Sequence, residues 1–274
     1  MACRRGAGDE LLDTLAFKWS VNLLRIPRGG IQVGDVFVVQ QRALDHWDRL
    51  ANLYQPKLEL PVPDRWPVGD MEQVESQRYG ADVGFEALQG FLQGLGVPAL
   101  PLRATIKAAR KTTVSLSFSV GDVTRTSLLP GEIKREMERR SKGSRWGAVE
   151  AKRRYVVAHA VWAARSLQIK LQGDRQVVSE LTARLTGVTG VSGGLKATHD
   201  SSGSIKYDRD DPIAFGIQVT GVQFEGRVPL LKGAPDLSPM QVRRDIAQAS
   251  TQADRLEYGL LIGARDGSPF ITLQ

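Results

Sequence analysis

Three histidines, one cysteine and a run of aspartates are the side chains in this 274-residue sequence best suited to chemistry. His46, His159 and His199 lie too far apart to mark a metal site by spacing. His159 sits in an apolar run, where a satisfied sheet or core residue is the expectation rather than a base. Asp208, Asp210 and Asp211 have the composition of a cation site, but Asp favours turns, and a hairpin turn is expected there. Ser201 to Ser204 reads as a turn and not as a nucleophile. The only cysteine, Cys3, stands beside Arg4 and Arg5, whose charges favour the thiolate. A Cys–His pair would need that cysteine held against a histidine by a segment prone to fraying. No Walker A loop, G-x-G-x-x-G, H-E-x-x-H or G-x-S-x-G is present. The chemistry therefore points away from an enzyme, and no metal or other cofactor is expected.

Charge is the next signal. The formal net charge is +7 and the pI about 9.7. The excess gathers between Glu132 and Arg154, where nine basic residues face four acidic ones. Arg139, Arg140, Lys142, Arg153 and Arg154 are the candidate anion-binding residues. Such a patch attracts nucleic acid or an anionic lipid surface, unless it is only a solvated helix face. One reading is thus a basic nucleic-acid-binding module centred on residues 134–154, although the aromatic-rich strand of a single-strand binder is missing. No run of eighteen apolar residues predicts a transmembrane helix. The first ten residues are polar, so no signal peptide is expected, and one thiol leaves no internal disulfide.

The elements that must position these residues are legible in part. Apolar residues at 42% and charged ones at 24% are ordinary globular values, which excludes disorder for the bulk of the chain. Residues 9–18 have the pattern of a short helix. Leu23 to Val39 reads as strand, turn, strand. Leu44, Trp47, Leu50 and Leu53 fall at helical spacing. Pro56 to Pro67 must be extended or looped. Phe85 to Leu95 reads as a helix. Val114, Leu116, Phe118 and Val120 alternate with polar residues and predict a strand with one apolar face. Leu128 to Arg140 is a charged helix candidate, Tyr155 to Leu171 a long strand and Val177 to Leu185 a short helix. Residues 188–198, 204–208 and 213–220 alternate as strands. Helices inserted between strands, with no βαβ rhythm, predict a mixed α+β domain. Its central sheet is expected to be twisted and mostly antiparallel, with peripheral helices. Leu237 to Leu256 reads as a helix, followed by a short tail with apolar pieces at Leu260 to Ile262 and Phe270 to Ile271 that suggest docking. The organisation expected is a body over residues 1–232 and a C-terminal helix with tail over 233–274.

Two segments, Tyr155 to Leu171 (YVVAHAVWAARSLQIKL) and Ser202 to Phe224 (SGSIKYDRDDPIAFGIQVTGVQF), resemble bacterial gasdermins. In the first, a long strand runs into a segment of alkyl, small, Ser, polar and Ile/Val residues. A later strand has tyrosine, turn, then Pro, hydrophobic, small, Phe and Gly. Leu24 to Arg28 leading into Val33 to Val39 is similar too, as is a cysteine near the start.

The resemblance implies a pore-forming cell-death effector of anti-phage defence rather than an enzyme, with a gasdermin-like N-domain fold. It implies a covalent acyl chain, palmitate for example, on Cys3. It implies a monomer that is cytoplasmic and autoinhibited, with an activating protease as partner. That protease would cut near Gly259, Leu260, Leu261, Arg265 or Asp266, where glycines make the chain flexible. The released peptide would have been anchored by Phe270, Ile271 and Leu273. The remainder would assemble with membrane lipids as a homo-oligomer in the inner membrane. It would refold into a β-barrel with Val114, Leu116, Phe118 and Val120 toward lipid and the serines toward the lumen. On this reading the basic residues meet lipid head groups, and no nucleic acid is bound.

Overall fold

A computed structural model of the chain describes residues 21–40, 43–72, 82–97, 115–140, 146, 153–172, 175–186, 195–200, 203–225, 228–231 and 270–273. In chain order the elements are β1 (Asn22–Arg28), β2 (Asp35–Gln40), β3 (Ala43–Arg49), a 3-10 turn (Leu50–Leu53), β4 (Asp64–Glu72), α1 (Asp82–Gly94) and β5 (Ser115–Ser127). They continue with α2 (Pro130–Arg139), β6 (Arg154–Gln172), α3 (Arg175–Thr186), β7 (Leu195–His199), β8 (Ser204–Glu225), β9 (Val228–Leu231) and β10 (Phe270–Leu273). The expected helices at 9–18 and 237–256 lie outside the described residues.

The ten strands form one sheet in the order β4-β5-β6-β2-β3-β10-β1-β8-β7, with β9 also on β8. The sheet is antiparallel as expected, except that β10 runs parallel to both of its neighbours. It also closes on itself. One edge of β6 pairs with β2 near Val156 while the other pairs with β8, so the path β6-β2-β3-β10-β1-β8 returns to β6. Six strands make this ring, and the longer ends of β6 and β8 run out of it to carry β5, β4 and β7.

Strand alternation sorts the apolar residues to two sides. Leu24, Phe37, Leu44, Val156, Ala158, Ile217, Val219 and Ile271 share the core inside the ring. Val36, Val38, Tyr155, Val157 and Val222 point the other way and pack against Ile133 and Met137 of α2. Those two residues are four apart and therefore on one helix face. Pro130 opens α2 in the turn where its missing N–H costs nothing, and the Glu132 carboxylate accepts the Leu129 N–H at 3.3 Å. A third core lies on the extension of β6 and β8, beneath α1 and α3. Each large apolar side chain so buried contributes about 1.5–3 kcal/mol.

Two local expectations are corrected. Residues 44–49 are strand and only 50–53 are helical, because β3 pairs along its whole length with β2. The helical spacing is incidental there: Leu44 points into the ring, while Trp47 stacks outside it against Trp146 and Tyr155, with centroids 5.2 and 5.0 Å away. Asp208, Asp210 and Asp211 do not form a hairpin turn either. They lie within the continuous 22-residue β8, where the register against β6 shifts between Asp208 and Ile213. A bulge absorbs the aspartates and keeps both halves of β8 on one partner.

Candidate functional site

Four of the strands form an amphipathic sheet. β5, β6, β8 and β7 are consecutive neighbours, all antiparallel. Their registers align into rows. Val120, Leu167, Tyr207 and Ala197 make one row, and Phe118, Ile169, Ile205 and His199 another. Between them runs the row Ser119, Gln168, Lys206 and Thr198. Apart from the edge residue His199, the first two rows are apolar, and the intervening row is polar and faces the other way. The segments read from sequence as strands at 114–120, 155–171, 188–198, 204–208 and 213–220 thus supply four adjacent strands where the structure describes them. β5, β6 and β8 have 13, 19 and 22 residues, more than the roughly 9–11 that a spanning strand needs.

The apolar face of this sheet is covered by helices. Leu88, Phe91, Leu92 and Leu95 of the α1 segment and Leu181 and Leu185 of α3 share its core. The Tyr207 hydroxyl donates to the Leu185 carbonyl at 2.8 Å, tying β8 to the end of α3, and burial raises its pKa. α1 sits directly on β1. A Cβ at Gly90 or Gly94 would overlap the backbone carbonyls of Arg25 and Pro27, so glycine is required for that contact.

β10 is the second part of the site. Its backbone pairs Phe270 with Leu23 and Ile271 with Leu24 on one side, and Thr272 with Ala43 and Leu273 with Leu44 on the other. Ile271 is 3% exposed and lies inside the ring, and Leu273 packs against the same core. Four residues near the end of the chain therefore join two strands near its start and close the ring.

Residues 24–234 match the Bacterial Gasdermin Family. The chain belongs to that family. It is also similar to the structure of a bacterial gasdermin from Bradyrhizobium tropiciagri, at 18% identity with a TM-score of 0.52, over 82% of this chain and 91% of that one. No curated protein matches. A bacterial gasdermin is a pore-forming cell-death effector and not an enzyme. Its family implies oligomers, contact with membrane lipids, and a soluble form that inserts. No helix among the described residues is long and apolar enough to cross a membrane, which says nothing of strands.

The residues singled out from the sequence fall unevenly on this gasdermin. Ile271 and Leu273 are brought to the ring; Phe270 is in β10 by its backbone. Phe118 and Val120 are buried under α1 and α3, Leu116 is in β5 by its backbone, and Val114 lies outside the described residues. Arg139 is exposed and bonded to Glu136 at 2.6 Å, Arg140 is half-buried, and Arg153 and Arg154 are exposed. Lys142, Cys3, Gly259, Leu260, Leu261, Arg265 and Asp266 lie outside the described residues. His159 is, as expected, a satisfied sheet residue: Nδ1 is 3.0 Å from the Thr220 hydroxyl. Burial, and then the Arg125 guanidinium, lower its pKa to about 4. The sequence reading missed the seat of the tail, Leu23, Leu24, Ala43 and Leu44. The only signal was that a short apolar tail needs partners.

Proposed function

We infer that this gasdermin is held closed by β10 and opened by proteolytic removal of its C-terminal segment. The observation that carries this reading is that β10 completes the ring with four residues and is joined to β9 through residues 232–269. A cut there leaves the strand held by a short ladder and two apolar side chains. Each such side chain stabilises by at most roughly 1.5–3 kcal/mol, which suffices for a tethered segment, whereas a cut segment stays seated only at a peptide concentration high enough to replace the tether. The freed protein then assembles at the inner membrane. α1 and α3 leave the apolar face of β5-β6-β8-β7, that face turns to lipid, and the polar rows line the lumen of a large oligomeric β-barrel. An acyl chain on Cys3, buried while the protein is closed, adds membrane affinity of about 0.8 kcal/mol per buried CH₂. Arg139, Arg140, Lys142, Arg153 and Arg154 meet anionic head groups. Lysis of the cell limits phage spread.

The test is to replace residues 264–268 by a site-specific protease sequence, cut, and follow dye release from anionic liposomes. Leakage after the cut and none before is expected. Intact liposomes after complete cutting and loss of the released segment, with or without the Cys3 acyl chain, refute the mechanism. Intact mass from the native host should carry an acyl adduct that Cys3→Ala lacks.

A further inference from the structure

We propose that the gap between β1 and β3 is a strand-acceptor site that binds the 270–273 segment in trans, as a free extended peptide. The inference rests on the geometry of β10 and deepens the proposed function by making activation reversible by peptide.

A strand bounded on both sides offers an incoming peptide two ladders of backbone donors and acceptors, not the single edge of ordinary strand addition. Here the two ladders are staggered. Phe270 and Ile271 register with Leu23 and Leu24 of β1, whereas Thr272 and Leu273 register with Ala43 and Leu44 of β3. A ligand must therefore span all four positions to bridge both strands. One ending at the Ile271 position meets β1 alone and leaves the ring open. Direction is fixed as well, because both pairings are parallel. The side-chain requirement alternates. Ile271 enters a core built from Leu24, Phe37, Leu44, Ile217 and Val219, so an aliphatic group is demanded there. Thr272 points away from that core and is half-buried, so a longer polar residue fits. The other five strands of the ring hold one another without β10 through β6–β2, β2–β3, β1–β8 and β6–β8. Those pairings keep each wall of the slot attached to the ring on its far side, β1 to β8 and β3 to β2. The chemical class of ligand is an extended apolar/polar alternating peptide of at least four residues.

The experiment uses the full chain with the protease site at 264–268, cut to completion, and a fluorescent peptide of sequence SPFITLQ. Saturable binding by anisotropy is expected, together with suppression of liposome leakage at the same peptide concentrations. The Ile271→Asp peptide should bind more than about tenfold more weakly. The Thr272→Lys peptide should bind within a few-fold of the parent, and a peptide ending at Ile271 should not bind. If the cut protein keeps its own tail, native mass spectrometry sees that retained complex, and exchange for labelled peptide gives the same ranking. Should the cut protein aggregate, uncut Ile271→Ser chain serves instead: the parent peptide raises its thermal midpoint and the Ile271→Asp peptide does not. Absence of binding in both formats, or equal binding by the Ile271→Asp and parent peptides, overturns the proposal. The proposed function fails separately, if cut protein shown by native mass spectrometry to have lost its tail does not leak at all, because peptide binding is read without a membrane.

Discussion

Truncating Ile271 to alanine tests the hold of β10 on the closed gasdermin most directly. The side chain is 3% exposed and lies inside the ring, so the change removes buried methyl groups and leaves a cavity lined by Leu24, Leu44 and their neighbours. Such truncations cost about 2–5 kcal/mol. β10 has only four residues, and Leu273 is its other core-facing group, half-buried. The loss therefore removes the most buried side-chain contact among the described residues of the segment. At about 1.4 kcal/mol per tenfold, a 3 kcal/mol loss raises the open-to-closed ratio on the order of a hundredfold. Uncut Ile271→Ala protein should leak dye from anionic liposomes at concentrations where the parent does not, and should need less protease for full release. Its thermal midpoint should fall too. Thr272→Ala is the control, because it shortens a residue of the same strand that points away from the ring core. If uncut Ile271→Ala is as silent as the parent and needs the same protease dose, β10 is not the restraint. If Thr272→Ala leaks equally, the ring interior is not where the restraint acts.

Other expectations follow from the same contacts. Gly90→Ala pushes α1 off the Arg25 carbonyl, and overpacking of this kind costs about 1–3 kcal/mol, so the thermal midpoint of uncut protein should drop by several degrees. A midpoint within error of the parent would show that α1 has room to move. The lowered pKa of His159, about 4 against an ordinary 6.5, means that the closed fold prefers the neutral imidazole. That contribution is complete above about pH 6.5 and is lost as pH falls from there to about 4, amounting to about 3 kcal/mol. His159→Gln should flatten that limb of the stability curve, read as midpoint against pH. On the working sheet, Ser117→Asp and Ser119→Asp should leave leakage by cut protein intact, whereas Phe118→Arg should abolish it at about 2–4 kcal/mol per strand in mid-membrane. Loss of leakage by both aspartate variants, with the closed protein still folded, would reverse the assignment of faces.

How much of this was legible in the sequence depended on the range of the interaction. β6 was readable because Leu167, Ile169 and Leu171 alternate with Gln168, Lys170 and Gln172, the period of two that a strand uses. α2 was readable as a charged helix candidate over Leu128 to Arg140, and the structure adds that Pro130 opens it and that Ile133 and Met137 form its buried face. β3 was not, because Leu44, Trp47, Leu50 and Leu53 mimic a helix. What makes Leu44 a strand residue is its pairing with Val39 and Leu273, one near and one more than two hundred positions away. The aspartates of β8 were read as a turn because local propensity favours one. The long ladder to β6 overrides that propensity and leaves a bulge. The anchors Ile271 and Leu273 were identified as apolar residues in need of a partner. Their seat was hidden because parallel pairing between distant segments leaves no local mark.

The same long-range pairing explains how so short a strand can restrain so large a sheet. β6 and β8 pair from Tyr155–Val222 to Lys170–Ser204, while β10 meets each neighbour at only two registered positions. The ring therefore has its fewest pairings at β10 and its most at β6–β8, and the proposed mechanism has it open at the tail and keep the two long strands together. Loss of β10 strips one edge of β1, whose remaining strand partner is β8. β1 is also the seat of α1, through the backbone carbonyls over Gly90 and Gly94. α1 in turn covers the apolar rows of β5, β6 and β8 with Leu88, Phe91 and Leu92. The contacts thus run from β10 to β1, from β1 to α1, and from α1 to the face proposed to meet lipid. A rigid β1 with α1 still seated after the tail has gone would break this chain of contacts at its second step. Hydrogen exchange on cut protein before membrane is added reads that step, and faster exchange in residues 82–94 than in β6 is the expected result.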